Sequence, residues 1–191
     1  PVEDFVDASI NTDDGKTYDF KYRLRFVEDR KALAGSERGV RVYAHKRLAA
    51  ASSLLNANTN MHGFRMTDYL DGVVIADFID DQPNDYVATD RQSLRWDSPL
   101  LSPLYDFLST EIKDACYARQ AARDGEKEDE VKSDEFTKNL IGSAELSSPE
   151  KKVAYKMATA ISSLEKQGTA TDRYKTQLKE VVKGLSQGDL F

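Results

Sequence analysis

The sequence predicts an α+β protein: a twisted, mostly antiparallel sheet with packed helices, followed by a C-terminal helical extension. Three observations carry that prediction. Tyr18, Phe20, Tyr22, Leu24 and Phe26 alternate with Asp19, Lys21, Arg23 and Arg25, the period-two signature of a strand with one buried and one charged face. Val73-Val74-Ile75-Ala76-Asp77-Phe78-Ile79 is nearly continuous apolar, as suits a short central strand covered on both faces. Past Pro99 the apolar spacing changes to three and four, so strands gather early and helices late.

Taken in order, Val6, Ala8 and Ile10 alternate weakly, and Asn11-Thr12-Asp13-Asp14-Gly15 supplies turn chemistry before the strand at 18–26. The two form an antiparallel hairpin. A third strand covers Gly39-Val40-Arg41-Val42-Tyr43-Ala44-His45. Ala49, Ala50, Ala51, Leu54 and Leu55 suit a short helix, and 56–63 reads as loop. The apolar run at 73–79 follows, then a polar loop over 80–98.

A helix starts at Ser98-Pro99 or Ser102-Pro103, each a capping residue followed by proline at the first helical position. Leu101, Leu104, Leu108, Ile112 and Ala115 form its apolar stripe. Residues 123–135 are charged, contain Gly125 and hold little apolar content, which predicts a solvated linker or a frayed helix end. Ser147-Ser148-Pro149-Glu150 opens a helix with Val153, Met157, Ala160 and Leu164 on one face, ended by Gly168. A last helix near 171–183 carries Tyr174, Leu178, Val181 and Leu185, giving an antiparallel pair. The expected organisation is an α+β domain over 1–121, a charged linker over 122–146 and a helical pair over 147–191.

Composition narrows the function. The 191 residues are 40% hydrophobic and 31% charged, enough apolar material for a core. Lysine and arginine number 27 against 33 acids, a net charge of −6. That balance argues against a broad contact with nucleic-acid phosphates and leaves room for a local basic patch. Cys116 is the only cysteine and His45 and His62 the only histidines. A disulfide framework, a cysteine zinc site and a serine triad therefore lack material. No apolar run approaches the roughly 20 residues of a membrane span. Pro1 stands where an initiator methionine is absent, and no signal-peptide pattern follows. The expectation is a cytoplasmic protein without membrane contact, cut from a longer chain.

Several groups invite chemistry, and each has an ordinary alternative. Asp14-Gly15-Lys16-Thr17 looks like the end of a phosphate loop but lacks the upstream glycine and sits in a hairpin turn. Asp80, Asp81 and Asp85 follow a buried strand, where carboxylates hold a magnesium ion or simply keep a loop in water. His45 and His62 titrate near neutrality, yet neither has a nucleophile at a recognisable spacing. Cys116 adjoins the helical stripe and reads as a buried thiol. Lys21, Arg23 and Arg25 make a basic strand face, but the aromatics between them point to the opposite side and cannot also stack on bases. Arg91 stands in the polar loop Tyr86-Val87-Ala88-Thr89-Asp90-Arg91-Gln92-Ser93-Leu94-Arg95-Trp96. An arginine there either offers a planar charged fork to a phosphate or pairs with Asp90 or Asp97.

The segments Gly39-Val40-Arg41-Val42-Tyr43-Ala44-His45-Lys46-Arg47-Leu48-Ala49, Gly72-Val73-Val74 and Val87-Ala88-Thr89-Asp90-Arg91-Gln92-Ser93-Leu94, in that order, resemble the middle domain of GHKL, or histidine kinase-like, ATPases. This superfamily includes gyrase, MutL, MORC proteins and the large heat-shock chaperone. The chaperone branch carries a Gly-Val-Val strand before a loop reading Asn-Ile-Ser-Arg-Glu-x-Leu. The likeness spans residues 18–115 and implies a transducer domain of the ribosomal-protein-S-five-like fold. It further implies that Arg91, assisted by Gln92, contacts the γ-phosphate of ATP held by an upstream domain of the same chain. Gln92 replaces the family's glutamate, and the loop from 77 to 85 is longer than in the chaperones. The motifs that build the family's ATP pocket do not occur in this chain.

The leading expectation is thus a middle and C-terminal piece of an ATPase, without activity by itself. By the resemblance, ATP and Mg²⁺ bind in the upstream domain, with no cofactor or metal in this chain. A homodimer and a weaker nucleic-acid contact stand as further partners. One alternative is a non-enzymatic α+β interaction module; another is a metal-dependent hydrolase built on Asp80, Asp81 and Asp85.

Overall fold

The computed structural model describes residues 5–27, 32–56, 66–88, 93–165 and 168–188. The chain forms two compact units, residues 1–120 and 121–191. The first is an α+β unit built on one five-stranded sheet, and the second is helical.

Strands β1 (Val6–Asn11) and β2 (Thr17–Phe26) make the expected hairpin, with Ile10 opposite Tyr18 and Val6 opposite Tyr22. Gly15, at φ 79°, takes the left-handed turn position that a side chain resists. Strands β3 (Gly39–Ala44), β4 (Arg47–Ser53) and β5 (Leu70–Ile75) complete the order β1-β2-β5-β3-β4. Every pairing is antiparallel except β3 with β5. Short 3-10 helices at Met66–Tyr69 and Asp77–Ile79 bracket β5.

Ala49, Ala50 and Ala51, expected in a short helix with Leu54 and Leu55, lie instead in strand β4. His45 and Lys46 both adopt positive φ, 45° and 67°, the pair of left-handed conformations that reverses a hairpin without splaying its strands. The Asp77 carboxylate accepts from the His45 N–H at 2.6 Å and fixes that turn. The chain is sent back along β3, and Ala49 and Ala50 become buried in the core. Helix propensity in alanine amounts to only a few tenths of a kcal/mol per residue and yields to that burial.

The sheet's inner face carries Ile10, Phe20, Tyr22, Val40, Val42, Leu70 and Val74, all in the core. Over it lies α1 (Ser102–Ser133), whose Leu104, Leu108, Ile112 and Cys116 are fully buried. The stripe continues to Cys116 rather than Ala115, which is a turn later on the same face. Phe107 meets the edges of Phe20 and Tyr22 at 5.3 and 5.5 Å between ring centroids. The outer face is different. Val73 and Ile75 of β5 lie there half-buried among charged neighbours, so the central strand is packed on one face only.

The stretch 122–146, expected as a charged linker, is helical over 122–133 and 135–143. α1 runs on through Ser133, and α2 (Glu135–Ser143) follows after one residue. Its charges lie at helical spacing: Lys127 pairs with Glu130 at 2.7 Å and Lys132 with Glu128 at 2.5 Å. Val131, the apolar residue amid these charges, is fully buried in the second unit's core. Asp134 caps α2 by accepting from the Thr137 N–H at 2.8 Å.

In the second unit α3 (Ser148–Leu164) and α4 (Asp172–Gln187) form the expected pair. Glu150 accepts from both the N–H and the hydroxyl of Ser147 at 2.6 Å, closing the helix start. The fully buried face of α3 is Ala154, Ala158 and Ser162; of the expected stripe, Val153 packs half-buried against the same core and Met157 is half-buried, while Ala160 is exposed and Leu164 is 85% exposed. The small residues let α3 lie close to α4, whose Tyr174, Leu178, Val182 and Leu185 fill the core. The Tyr174 hydroxyl, fully buried, is satisfied by the Thr137 hydroxyl at 2.7 Å.

Candidate functional site

The loop singled out by the sequence is held by a short antiparallel stem. Val87 and Leu94 form an isolated bridge, with Ala88 N–H donating to Ser93 O at 2.8 Å and Arg95 N–H to Tyr86 O at 2.9 Å. Asp85 tightens the entry by accepting from the Val87 N–H at 3.0 Å. Val87 and Leu94 are both buried in the sheet's core, which anchors the stem by about 1.5–3 kcal/mol for each fully buried side chain. Residues 89–92 join the two sides of the stem. Arg91 and Gln92 therefore lie outside the described residues, as does His62.

The three loop acids do not converge. Asp80 accepts from Arg47 at 2.6 Å, Asp81 faces His45 Nε2 at 2.8 Å, and Asp85 is occupied at the stem. Among the described residues no three His, Cys, Asp or Glu side chains gather as metal ligands. The hydrolase reading of Asp80, Asp81 and Asp85 loses its geometric basis. The hydrogen bond to Asp81 holds the His45 imidazole above its ordinary titration range, reinforced by the charges of Asp81, Asp77 and Asp80. In the β1–β2 turn, Lys16 pairs with Asp14 at 2.9 Å, so the phosphate-loop look-alike is internal turn chemistry. The Asp14 carboxyl is held down to about 2, first by the Thr12 hydroxyl and then by Lys16.

The outer sheet face brings together a group that the sequence did not reveal. The register sets Arg25 beside Asp71, and Arg23 and Arg41 on either side of Val73. Asp71 is only 7% exposed and takes two guanidinium groups: Arg25 at 2.5 Å and Arg41. Arg23 lies over the Phe5 ring at 5.3 Å. Tyr43 lies beside Ile75 on this face. Arg41 is legible in the sequence only as a strand residue and Asp71 lies outside the predicted strands, because their meeting depends on β3 pairing in parallel with β5.

The fold defines this chain as an α+β sheet unit joined to a helical unit. Comparison with protein-family models, curated proteins and solved structures finds no match. No helix among the described residues is long and apolar enough to cross a membrane.

Proposed function

We propose that the first unit is a transducer-type domain of a GHKL-type, histidine kinase-like ATPase, coupling ATP binding and hydrolysis in another domain of the same cytoplasmic protein to conformational change. The observation that supports this reading most is the buried stem at Val87 and Leu94, which anchors both flanks of the segment that carries Arg91 in the sequence. A functional arginine belongs in such a setting, since a side chain that reaches a neighbouring domain is best aimed from an anchored loop. Arg91 supplies a permanent charge and a planar fork of donors to the γ-phosphate, and Gln92 supports its orientation. ATP with Mg²⁺, held by the other domain, provides the phosphoryl group. The acids Asp80 and Asp81 are engaged with Arg47 and His45.

The test is steady-state ATP hydrolysis by the protein at its full natural length, with and without Arg91→Ala. The reading expects turnover to collapse while nucleotide affinity holds, the pattern of a group that acts in the transition state. A protein that hydrolyses no ATP overturns it. A second reading, a non-enzymatic interaction module, draws on the open outer face of the sheet.

A further inference from the structure

The turn between β3 and β4 is tied to the segment that follows β5 at four places. The Ala76 N–H donates to Tyr43 O at 2.8 Å, and the Asp77 carboxylate accepts from the His45 N–H at 2.6 Å. Arg47 pairs with Asp80 at 2.6 Å, and His45 Nε2 meets Asp81 at 2.8 Å. His45 is thus held twice by one short segment, its amide by Asp77 and its ring by Asp81. These ties hold a turn in which His45 and Lys46 both keep positive φ, a conformation that residues other than glycine seldom adopt. We propose that His45 and Asp81 form a pH-sensitive latch, which holds the far end of this segment against the turn while the imidazole is charged and releases it when the imidazole is neutral.

The four ties respond differently to pH. Two are made by backbone N–H groups, and Arg47 carries a permanent charge. Histidine alone among side chains ordinarily changes charge between about pH 5 and about pH 8. The charged groups around His45 are Asp77, Asp80 and Asp81 from the segment, and Lys46 and Arg47 from its own turn. Farther out, Asp85 lies near Arg47, and Asp19 and Lys21 of β2 line a groove with Asp77. The bond to Asp81 raises the His45 value most; desolvation opposes it, and the charges of Asp81, Asp77 and Asp80 add to it. With the folded value raised, the latch is complete below the ordinary value of 6.5 and weakens as pH climbs through the raised one. A neutral ring with its proton on Nε2 still donates to Asp81, but such a bond is about half as strong as the charge-assisted one. Both side chains stand more than half in solvent, 55% and 61%, so the latch opens locally without unfolding the sheet. The segment runs on to Asp85, which accepts from the Val87 N–H at the buried stem. The latch therefore sets how firmly the loop ahead of the stem is held, whether or not Arg91 meets a phosphate.

Nuclear magnetic resonance of the 191-residue chain between about pH 5 and about pH 9 tests the latch, with His62→Gln leaving His45 as the one imidazole. The His45 ring is expected to titrate above 6.5, and Asp81→Asn to lower its midpoint. Amide protection at His45 and Asp80, corrected for the intrinsic pH dependence of exchange, is expected to fall at least about twofold as the ring loses its charge. His45→Asn keeps a residue that tolerates positive φ but cannot titrate, and it removes that fall. A His45 ring that titrates at or below 6.5, or whose midpoint Asp81→Asn leaves in place, overturns the proposal. Protection that stays level while the ring titrates, or that falls equally in His45→Asn, overturns it as well.

Discussion

The phenol of Tyr22 donates to the carboxylate of Glu111 at 2.6 Å, joining the second strand of the sheet to the first helix. Burial first, and then this bond and the charge of Glu111, push the Tyr22 hydroxyl up to about 12. A group whose folded value is raised stabilises the fold fully below its unfolded value, near 10, and loses that contribution as pH climbs toward 12.

Tyr22→Phe is accordingly expected to destabilise the chain by about 1–2 kcal/mol at neutral pH. It should also flatten the stability profile between pH 10 and 12. Urea unfolding of both proteins at about pH 8 and about pH 11 checks both points. A wild type and variant that decline equally over this range contradict the assignment.

Asp71 serves two arginines from a nearly buried position, so its removal leaves two guanidinium groups side by side. Arg25 and Arg41 keep part of their side chains in solvent, 55% and 33%. That exposure softens the cost of losing the carboxylate, and Asp71→Ala is expected to destabilise by about 1–3 kcal/mol. Arg25→Ala should cost less than half as much, because Arg41 remains as counter-charge. Thermal unfolding of both variants gives the ranking, and equal losses would contradict the shared-carboxylate arrangement.

Two glycines should respond with opposite signs. Gly39 has φ 99°, and a Cβ there meets the Ser53 carbonyl of the paired strand. Gly39→Ala is expected to destabilise by at least about 2 kcal/mol or to prevent folding. Gly125 sits in the interior of α1 with open space where a Cβ would stand. Gly125→Ala should stabilise by about 0.5–1 kcal/mol. Differential scanning calorimetry of the pair distinguishes backbone strain from helix propensity in one experiment.

The parts of the fold visible in the sequence were those with one dominant local signal. The alternation at 18–26 fixed which side of β2 is buried, and Leu104, Leu108 and Ile112 marked the packed face of α1. Elements set by distant partners were hidden. Ala49 and Ala50 favour helix locally and become strand only because His45 and Lys46 reverse the chain onto β3. The charged stretch after Arg123 reads locally as linker or frayed helix end, and the structure takes the helix, because its ion pairs at helical spacing count for little until Val131 finds a core. On α3 the fully buried positions are Ala154 and Ala158, next to the half-buried Val153 and Met157, since close helix approach selects the smaller side chains. At the candidate site, the sequence marked Arg91 by its loop, and the structure adds the buried stem on either side. The Asp71 pair with Arg25 and Arg41 needed strand order as well as strand identity, which no local pattern encodes.

In the proposed function Arg91 stabilises charge on a phosphate held by a neighbouring domain. The most direct measurement is ATP turnover by the protein at full natural length, comparing wild type, Arg91→Lys and Arg91→Ala, with nucleotide affinity measured alongside. A loss of about 10²-fold or more in turnover is expected for Arg91→Ala, a smaller loss for Arg91→Lys, and affinity nearly unchanged in both. Turnover that is indifferent to both substitutions would contradict the transducer reading and leave Arg91 as an ordinary loop residue.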